Sequence, residues 1–491
     1  MVENILIGVD VVFTYESLAY ILLGCVIGTI VGVLPGLGPA AAISIALPAT
    51  FYIDPIYGLM MLSGIYYGTQ YGGSITSILL KIPGETSSVM TILDGHAMAM
   101  QGRAGVAIFA AGASSFVAGI FTTFLIAFLS PVLADFAFSF GPAEYTMLML
   151  LGFISISVIT TDDMLKSFGV VCIGILVGCI GTDTITGFER FSFNSTYLSD
   201  GVGFASVAIG LFALSEIFKN IIDKTNIKPY TGTLKLFPSK EDLKRMIPPT
   251  IRGTLLGSVL GLLPGGGITI SAYAGYSLEK KVSKNKDEMG KGAVEGVCAP
   301  EAANNASAQA GFIPLLALGL PENAVMAIML GAFMLYGIVP GPVMMSNQPD
   351  IFWGLVISML VGNLFLVILN IPLIRVWTQI LKVPYSMMYP VILVICVLGA
   401  YTMRTTLEDI LFLAVFGMLG YILVALKINF VPFMIGFVLG PKFEIVFRRS
   451  LVLSDGNFSI FVDRPISFAL LCFCVMIIIL GINNYIRNFR S

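Results

Sequence analysis

The sequence predicts an all-α, polytopic membrane protein of about 12 spans, and three observations lead to this fold class. Of the 491 residues, 57% are hydrophobic and only 11% are charged, whereas soluble domains carry about 25% charged residues. Stretches without Asp, Glu, Lys or Arg recur along the chain, and many approach the roughly 20 residues that a helix needs to cross a bilayer. Glycine and proline interrupt several of these stretches, which predicts broken or re-entrant helices.

The overall charge and the polar composition exclude several classes of function. The formal net charge is −2, from 27 Lys+Arg against 29 Asp+Glu, so there is no basic excess to bind nucleic acid. The seven cysteines lie almost wholly in apolar stretches, and the single histidine, His96, forms no metal-binding motif with them. Residues 1–16 do not resemble a signal peptide, so we expect the first span to direct insertion into the membrane.

The distribution of basic residues predicts the orientation of the chain. Between Lys219 and Lys291 lie 13 of the 27 Lys+Arg, in clusters at 219–252 and 280–291. Such clusters face the cytoplasm in most membrane proteins. No basic residue precedes Lys81, so we expect the N-terminus to face the opposite side of a cytoplasmic (inner) membrane.

An internal repeat connects the two halves of the chain. The pattern Gly28-x-x-x-Gly32-x-x-Pro35-Gly36-x-Gly38 recurs 229 positions later as Gly257-x-x-x-Gly261-x-x-Pro264-Gly265-x-Gly267. A looser match relates residues 78–85, which contain Pro83, to residues 315–322, which contain Pro321. Since the first copy begins outside and the second inside, we interpret the halves as inverted-topology repeats, as in secondary transporters.

The repeat defines the expected organisation of the chain. We predict an interfacial segment at 1–16, a first inverted repeat at 17–218, a basic cytoplasmic loop at 219–252, a second inverted repeat at 253–464, and a C-terminal helix and tail at 465–491.

The helix breaks are the predicted binding site. A half-helix that starts at a break presents free N–H groups at its positive end, which suits an anion, whereas unwound carbonyl groups suit a cation such as Na⁺. Close packing and kinking are the alternative explanation for each single break. We predict substrate contacts at Pro35, Gly36, Gly38, Ser74, Thr76, Ser77, Lys81, Gly84, Glu85, Thr86, Ser87, Pro264, Gly265, Gly266, Gly267, Asn304, Asn305, Pro321, Glu322 and Asn323, with a sodium site near Asn304, Asn305 and Ser74.

The motifs at and around the breaks resemble those of a known family. They are Gly32-Val-Leu-Pro-Gly-Leu-Gly-Pro39, Tyr71-Gly-Gly-Ser-Ile-Thr-Ser77, Ile82-Pro-Gly-Glu85, Ala299-Pro-Glu-Ala-Ala-Asn-Asn305 and Gly337-Ile-Val-Pro-Gly-Pro342. In this order they resemble the large membrane subunit of the tripartite tricarboxylate transporters, the TctA family. The resemblance covers nearly the whole chain.

The resemblance implies a function and partners. It implies a permease that takes up citrate-like carboxylates on an ion gradient, usually Na⁺ and otherwise H⁺, by alternating access. It also implies a small four-span membrane subunit, an extracytoplasmic solute-binding protein and a homodimeric scaffold. Three residues depart from the family pattern: Lys81 replaces Asn, Glu322 replaces Gly, and His96 replaces Tyr.

Two other functions remain open from the sequence. A passive anion channel would use the same apolar helices without gradient-driven, saturable transport. An integral-membrane enzyme would need a cluster of catalytic groups, and Asp162-Asp163 is an isolated acidic pair.

Overall fold

The computed structural model describes residues 2–34, 36–159, 163–223, 232, 236–263, 267–381, 383 and 385–490. Helices form most of this part of the chain and strands almost none, so the predicted all-α class is confirmed. Two short strands, β1 (Gly181–Thr182) and β2 (Glu189–Arg190), pair antiparallel in the connection after the eighth helix.

The helices of the first half end before the basic loop. They are α1 (Val2–Val12), α2 (Tyr15–Val33), α3 (Pro39–Thr50), α4 (Pro55–Leu80), a 3₁₀ turn (Thr86–Ser88) leading into α5 (Val89–Met100), α6 (Ala104–Ala137), α7 (Pro142–Ile159), α8 (Met164–Gly178), α9 (Thr196–Ser199), α10 (Phe204–Ala208), a π-helical turn (Ile209–Leu214) and α11 (Ser215–Asp223).

The helices of the second half follow the basic loop. They are α12 (Lys240–Leu260), α13 (Ile268–Val282), α14 (Glu295–Ala310), α15 (Phe312–Leu318), α16 (Ala324–Leu335), α17 (Met344–Asn347), α18 (Pro349–Asn370), α19 (Ile374–Ile380), α20 (Tyr385–Arg404), α21 (Leu407–Ala425), α22 (Val431–Leu453), α23 (Ile460–Asp463) and α24 (Pro465–Arg490).

Many of these helices are apolar enough to lie in a bilayer. Among the described residues, seven are long and apolar enough to cross a membrane, and four more apolar helices have 10 to 17 residues. The chain is therefore a multi-pass membrane protein. Shorter helices result where glycine and proline divide an apolar stretch, as between α2 and α3.

The glycines of the repeat bring pairs of helices into close contact. A Cβ atom added to Gly28 would lie 2.3 Å from the carbonyl oxygen of Ile65, so α2 and α4 touch backbone to backbone. In the second half, a Cβ atom added to Gly257 would lie 2.2 Å from the carbonyl oxygen of Ala303, so α12 and α14 touch in the same way. Glycine is needed because any side chain would separate the helices.

Two helix interruptions have matching local geometry. Helix α4 ends at Lys81 and α15 ends at Gly319, both in the left-handed conformation, with φ of 61° and 69°. Glycine adopts this conformation freely, whereas lysine adopts it at a cost. The next helical segment begins after Glu85 in one half and after Asn323 in the other, each with φ of −145°.

The centre of the molecule lies along α4 and α14. Every residue of α14 is buried, including Glu301, Asn304, Asn305 and Gln309. Polar groups in such a helix must find partners inside the protein because lipid offers none. Their hydrogen bonds therefore position α14 against its neighbours.

Arg245 of the first basic cluster lies beside the second cluster. Arg245, from the first cluster, forms salt bridges with Glu288 (2.6 Å) beside the second cluster and with Glu295 (2.8 Å) at the start of α14. Arg103 pairs with Asp242 at 2.6 Å. These contacts agree with the expectation that both clusters share one side of the membrane.

Candidate substrate cavity

A cavity of about 820 Å³ lies where the broken helices of the two halves meet. This volume is in the range of small-molecule binding sites. The first half contributes residues around Gly36–Ala41 and Ile82–Ser87, and the second contributes Gly267–Ile270 and Glu322–Val325. Further lining residues come from other helices: Val89, Ile156, Phe212, Glu216, Lys219, Asn220, Asn429, Phe430 and Val431.

Four helical segments begin at this cavity. The residues that precede them, Gly38, Glu85, Gly267 and Asn323, all line it. Gly38 and Gly267 have no side chain, so neither caps the first N–H groups of α3 or α13. The positive ends of four helical segments are consequently directed toward one space, which is the arrangement that favours an anion.

Glu85 is fixed by hydrogen bonds at the edge of the first break. Its Oε1 accepts hydrogen bonds from Ser87 Oγ and, at 3.4 Å, from Asn304 Nδ2. Its backbone N–H donates to Ser88 Oγ. Asn304 belongs to α14, so this contact joins a cavity-lining residue of the first half to the buried helix of the second half.

Thr86 and Thr269 connect the two halves directly. Their hydroxyl oxygens are 3.0 Å apart, and both residues line the cavity. Because hydroxyl groups both donate and accept hydrogen bonds, this pair can exchange its mutual contact for contacts with a carboxylate.

Glu322 is the other acidic residue at a break. It is 1% exposed, and its Oε1 accepts a hydrogen bond of 2.7 Å from Asn323 Nδ2. Its Oε2 is buried and has no hydrogen-bond partner. An unpartnered carboxylate oxygen inside a protein is costly in its charged form.

Several cavity residues were missed by the sequence analysis. Lys219 and Glu216 face the cavity and form a salt bridge of 3.7 Å, although Lys219 begins the predicted basic loop. Asn220 Nδ2 donates to the carbonyl oxygen of Gly36 at 3.4 Å. Of these four residues, only Thr269 had a sequence signal, because it follows the second glycine motif by two residues.

The predicted site residues separate into three groups. Nine line the cavity: Gly36, Gly38, Gly84, Glu85, Thr86, Ser87, Gly267, Glu322 and Asn323. Ser74, Thr76, Ser77, Lys81, Asn304, Asn305 and Pro321 do not line it. Pro35, Pro264, Gly265 and Gly266 lie outside the described residues.

Most predicted residues away from the cavity have structural hydrogen bonds. Ser74 donates to Glu301 at 2.7 Å, Thr76 to the carbonyl oxygen of Val33 at 2.8 Å, and Ser77 to Ser88 at 2.8 Å. These bonds hold α4 against α14, α2 and the 3₁₀ turn. Lys81 is exposed and forms no salt bridge with Glu322 in the described part of the chain.

Two amide oxygens behind the cavity could bind a cation. Asn304 Oδ1 and Asn305 Oδ1 are buried and have no hydrogen-bond partner, while Asn305 Nδ2 donates to Ser115 at 2.7 Å. Amide oxygens of this kind are suitable Na⁺ ligands. No group of three or more His, Cys, Asp or Glu side chains suited to a metal ion is found among the described residues.

Comparison with known proteins places this architecture in one family. A family model described as the tripartite tricarboxylate transporter TctA family matches residues 18–435. An uncharacterized 52.8 kDa protein of Agrobacterium vitis, from the TAR-I ttuC' 3' region, is 44% identical over all of this chain and 98% of its own length. No solved structure matches.

Two further relatives cover about half of the chain. An uncharacterized Agrobacterium vitis protein from the TAR-II ttuC' 3' region is 47% identical over 48% of this chain and 97% of its own length. An uncharacterized Methanocaldococcus jannaschii protein is 25% identical over 50% of this chain and 61% of its own length. From the family match and the full-length relative, we conclude that this chain belongs to the TctA family of tripartite tricarboxylate transporters.

Proposed function

We propose that this protein is the large permease subunit of a tripartite transporter and takes up small organic carboxylates, such as citrate, by cation-coupled alternating access. The observation that carries the proposal is the convergence of four helical N-termini on one cavity of about 820 Å³. Helix N-termini bind carboxylates through backbone N–H groups and a favourable dipole. Family membership supports a tricarboxylate-like substrate.

The charges around the cavity support the proposed coupling to a cation. Glu85, Glu216 and Glu322 line it, and Lys219 is the basic residue among the described lining residues. Two like charges about 5 Å apart repel by roughly 3 kcal/mol at an effective dielectric constant of about 20. An anionic substrate therefore enters more favourably when a cation has reduced this negative charge.

We assign a Na⁺ site to the region of Asn304 and Asn305. H⁺ is the alternative coupling ion. The two unpartnered amide oxygens support this assignment, and Asn304 also contacts the cavity residue Glu85. Ser74, the third residue of the predicted sodium site, donates its hydroxyl to Glu301, which holds it beside the same buried helix.

The repeated packing supports alternating access by two inverted repeats. Gly28 against Ile65 and Gly257 against Ala303 form equivalent helix contacts, and equivalent breaks follow them. Substrate sites of inverted-repeat transporters lie between the halves near the middle of the bilayer. The cavity shared by the two halves is therefore the candidate substrate site. We propose that about 12 spans surround it.

The family also supports the proposed partners and location. Members of a tripartite system work with a small membrane subunit and an extracytoplasmic solute-binding protein, which delivers the substrate. We place the complex in the cytoplasmic (inner) membrane, with the large subunit as a homodimer.

Transport measurements test this function. The full-length chain and its two partner proteins, reconstituted in vesicles, are expected to accumulate labelled citrate or succinate with saturable kinetics on a Na⁺ or H⁺ gradient. A passive channel would equilibrate the substrate without saturation, and an enzyme would convert it. Failure of every carboxylate and both gradients would contradict the proposal.

A sodium titration tests the ion site. We expect Asn304→Ala to raise the Na⁺ concentration needed for half-maximal uptake by about tenfold, the effect of about 1.4 kcal/mol of lost binding free energy. The matched control is Asn347→Ala, an exposed amide on α17. An unchanged Na⁺ dependence in Asn304→Ala would remove this residue from the ion site.

A further inference from the structure

We propose that Glu322 binds a proton in the substrate cavity and that this proton is carried inward together with the carboxylate. The inference deepens the proposed function and rests on it, because it identifies a coupling ion and the residue that carries it. It starts from a geometric observation: a carboxylate lines the cavity, is 1% exposed, and has one oxygen without any hydrogen-bond partner.

The hydrogen bonds around Glu322 suit a proton better than a metal cation. Asn323 directs its Nδ2–H donor at Glu322 Oε1, and its own Oδ1 accepts from the backbone N–H of Met326 at 2.9 Å. The oxygen of the neighbouring amide is therefore already engaged by the backbone, and the amide presents a donor to Glu322. Na⁺ needs several oxygen ligands, whereas a proton needs only the one oxygen that is free, Glu322 Oε2.

The two breaks differ at the position of Glu322: the second break has an acidic residue where the first break has a glycine. Helices α4 and α15 end in the same left-handed conformation at Lys81 and Gly319, and alignment of these two residues places Gly84 opposite Glu322. This structural register differs by one residue from the looser sequence match of 78–85 with 315–322. A Cβ atom added to Gly84 would lie 2.3 Å from the Cα of Gly73. The counterpart of Gly73 is Gly311, and the Glu322 carboxylate packs against it. One half thus closes its break with two glycines, whereas the other places an acidic group there.

The charged and titratable groups around Glu322 leave it without a direct counter-ion. Helix α4 contributes the buried Tyr66, and the first break contributes Glu85. Helix α14 contributes Glu301, whose two oxygens accept from Ser74 and Thr91. The other nearby groups are Glu216 and Lys219 across the cavity and Lys442 of α22 beside Gly319, whereas α3 has no titratable side chain.

None of these groups forms a salt bridge with Glu322 within the described residues. A carboxylate substrate would consequently meet an uncompensated negative charge at the second break. Protonation of Glu322 removes that charge without removing the hydrogen bond to Asn323, since Oε1 still accepts. Substrate binding and protonation therefore favour one another, which is the thermodynamic requirement for coupling.

The transfer conserves protons and charge. Glu322 takes a proton from water on the outer side, the cavity then binds the carboxylate, and the halves exchange access. The substrate leaves on the inner side, and Glu322 releases its proton to cytoplasmic water. One proton moves inward for each turnover, and no bond of the substrate is broken.

The test uses the full-length chain with its partner proteins in vesicles, with equal Na⁺ on both sides. An inward gradient of one pH unit can sustain about a tenfold greater accumulation for one coupled proton. We expect the unmodified protein to show this tenfold increase in the accumulation of labelled citrate or succinate. We expect Glu322→Gln to show no increase. Exchange of internal for external substrate is measured in the same vesicles, because it reports folding and substrate binding independently of coupling to the pH gradient.

Two further variants make the outcome decisive. Glu322→Gly places at this break the residue that occupies the equivalent break in the first half, and its substrate accumulation should likewise not respond to the pH gradient. Glu408→Gln removes a negative charge from an exposed position in the first turn of α21, away from the cavity, and it should keep the pH response. A pH response retained in both Glu322 variants would overturn the inference.

The unmodified protein provides an independent criterion. If it accumulates substrate on a Na⁺ gradient and is indifferent to the pH gradient, the proton assignment is wrong and the transport function stands. If it accumulates no carboxylate on either gradient, the proposed function itself fails.

Discussion

Individual glycines determine how closely the helices approach one another. Gly24, Gly28 and Gly32 of α2 face backbone carbonyl groups of α4, and Gly253, Gly257 and Gly261 of α12 face those of α14. Lipid offers no hydrophobic driving force between helices, so close contact and dispersion supply much of the association energy. These positions therefore tolerate no side chain.

This leads to a prediction for Gly257. In Gly257→Ala the new Cβ atom would lie 2.2 Å from the carbonyl oxygen of Ala303, so α12 and α14 must separate. Overpacking of this kind costs about 1–3 kcal/mol of unfolding free energy, which should appear as a lower melting temperature of the purified protein.

Gly152→Ala is the matched control for this prediction. Gly152 lies in α7, and a Cβ atom added there meets nothing within 4 Å. Its melting temperature should stay the same or rise, because alanine is the better helix former by about 1 kcal/mol. Equal melting temperatures for the two variants would contradict the close-contact interpretation.

At the scale of helices, Asp94 joins the two halves. This α5 residue is fully buried, and its carboxylate accepts hydrogen bonds from the backbone N–H groups of Gly290, Gly292 and Ala293 at 2.8 to 2.9 Å and from the Tyr276 hydroxyl at 3.0 Å. The three N–H groups precede α14. Asp94 therefore positions the helix whose side chains support the cavity.

Asp94→Asn should weaken this junction. One carboxylate oxygen becomes an NH₂ group, which places a donor against backbone donors and leaves buried N–H groups without partners. Each such group costs about 1–3 kcal/mol, so we expect a clear fall in melting temperature. Asp287→Asn, an exposed substitution in the same connection, should have little effect. An unchanged melting temperature in Asp94→Asn would show that the junction does not depend on this charge.

For the whole molecule, the orientation in the membrane is the main testable property. The salt bridges of Arg245 with Glu288 and Glu295 bring the two basic clusters together. Lys and Arg clusters face the cytoplasm. The N-terminus, which lacks basic residues before Lys81, should face the other side.

Cysteine labelling measures this orientation. Single cysteines at positions 244 and 284, in a variant without the seven native cysteines, should react with a membrane-impermeant maleimide only after the cells are opened. A cysteine at position 16 should react in intact cells. Labelling of positions 244 and 284 from opposite sides would contradict the assignment.

Local sequence was sufficient for the fold class and for the breaks. Low charge and long apolar stretches permit only helices in a bilayer, because every backbone polar group must be satisfied within its own segment. Glycine and proline end helices through local backbone geometry, so residues such as Gly38 and Pro83 mark the breaks without knowledge of the tertiary structure. The matching offset of the two glycine motifs likewise predicted that the two halves are related.

Only the tertiary structure decided which side chains meet at the cavity. Lys81 and Glu322 are both charged residues beside a break, yet Lys81 is exposed and Glu322 is buried against the cavity. Glu216 and Lys219 come from α11, far from either motif in the chain, and reach the cavity through packing. Composition and periodicity indicate whether a segment lies in lipid and which residues share a helix face. The direction of a side chain across a helix interface depends instead on packing partners that can be hundreds of residues away in the chain.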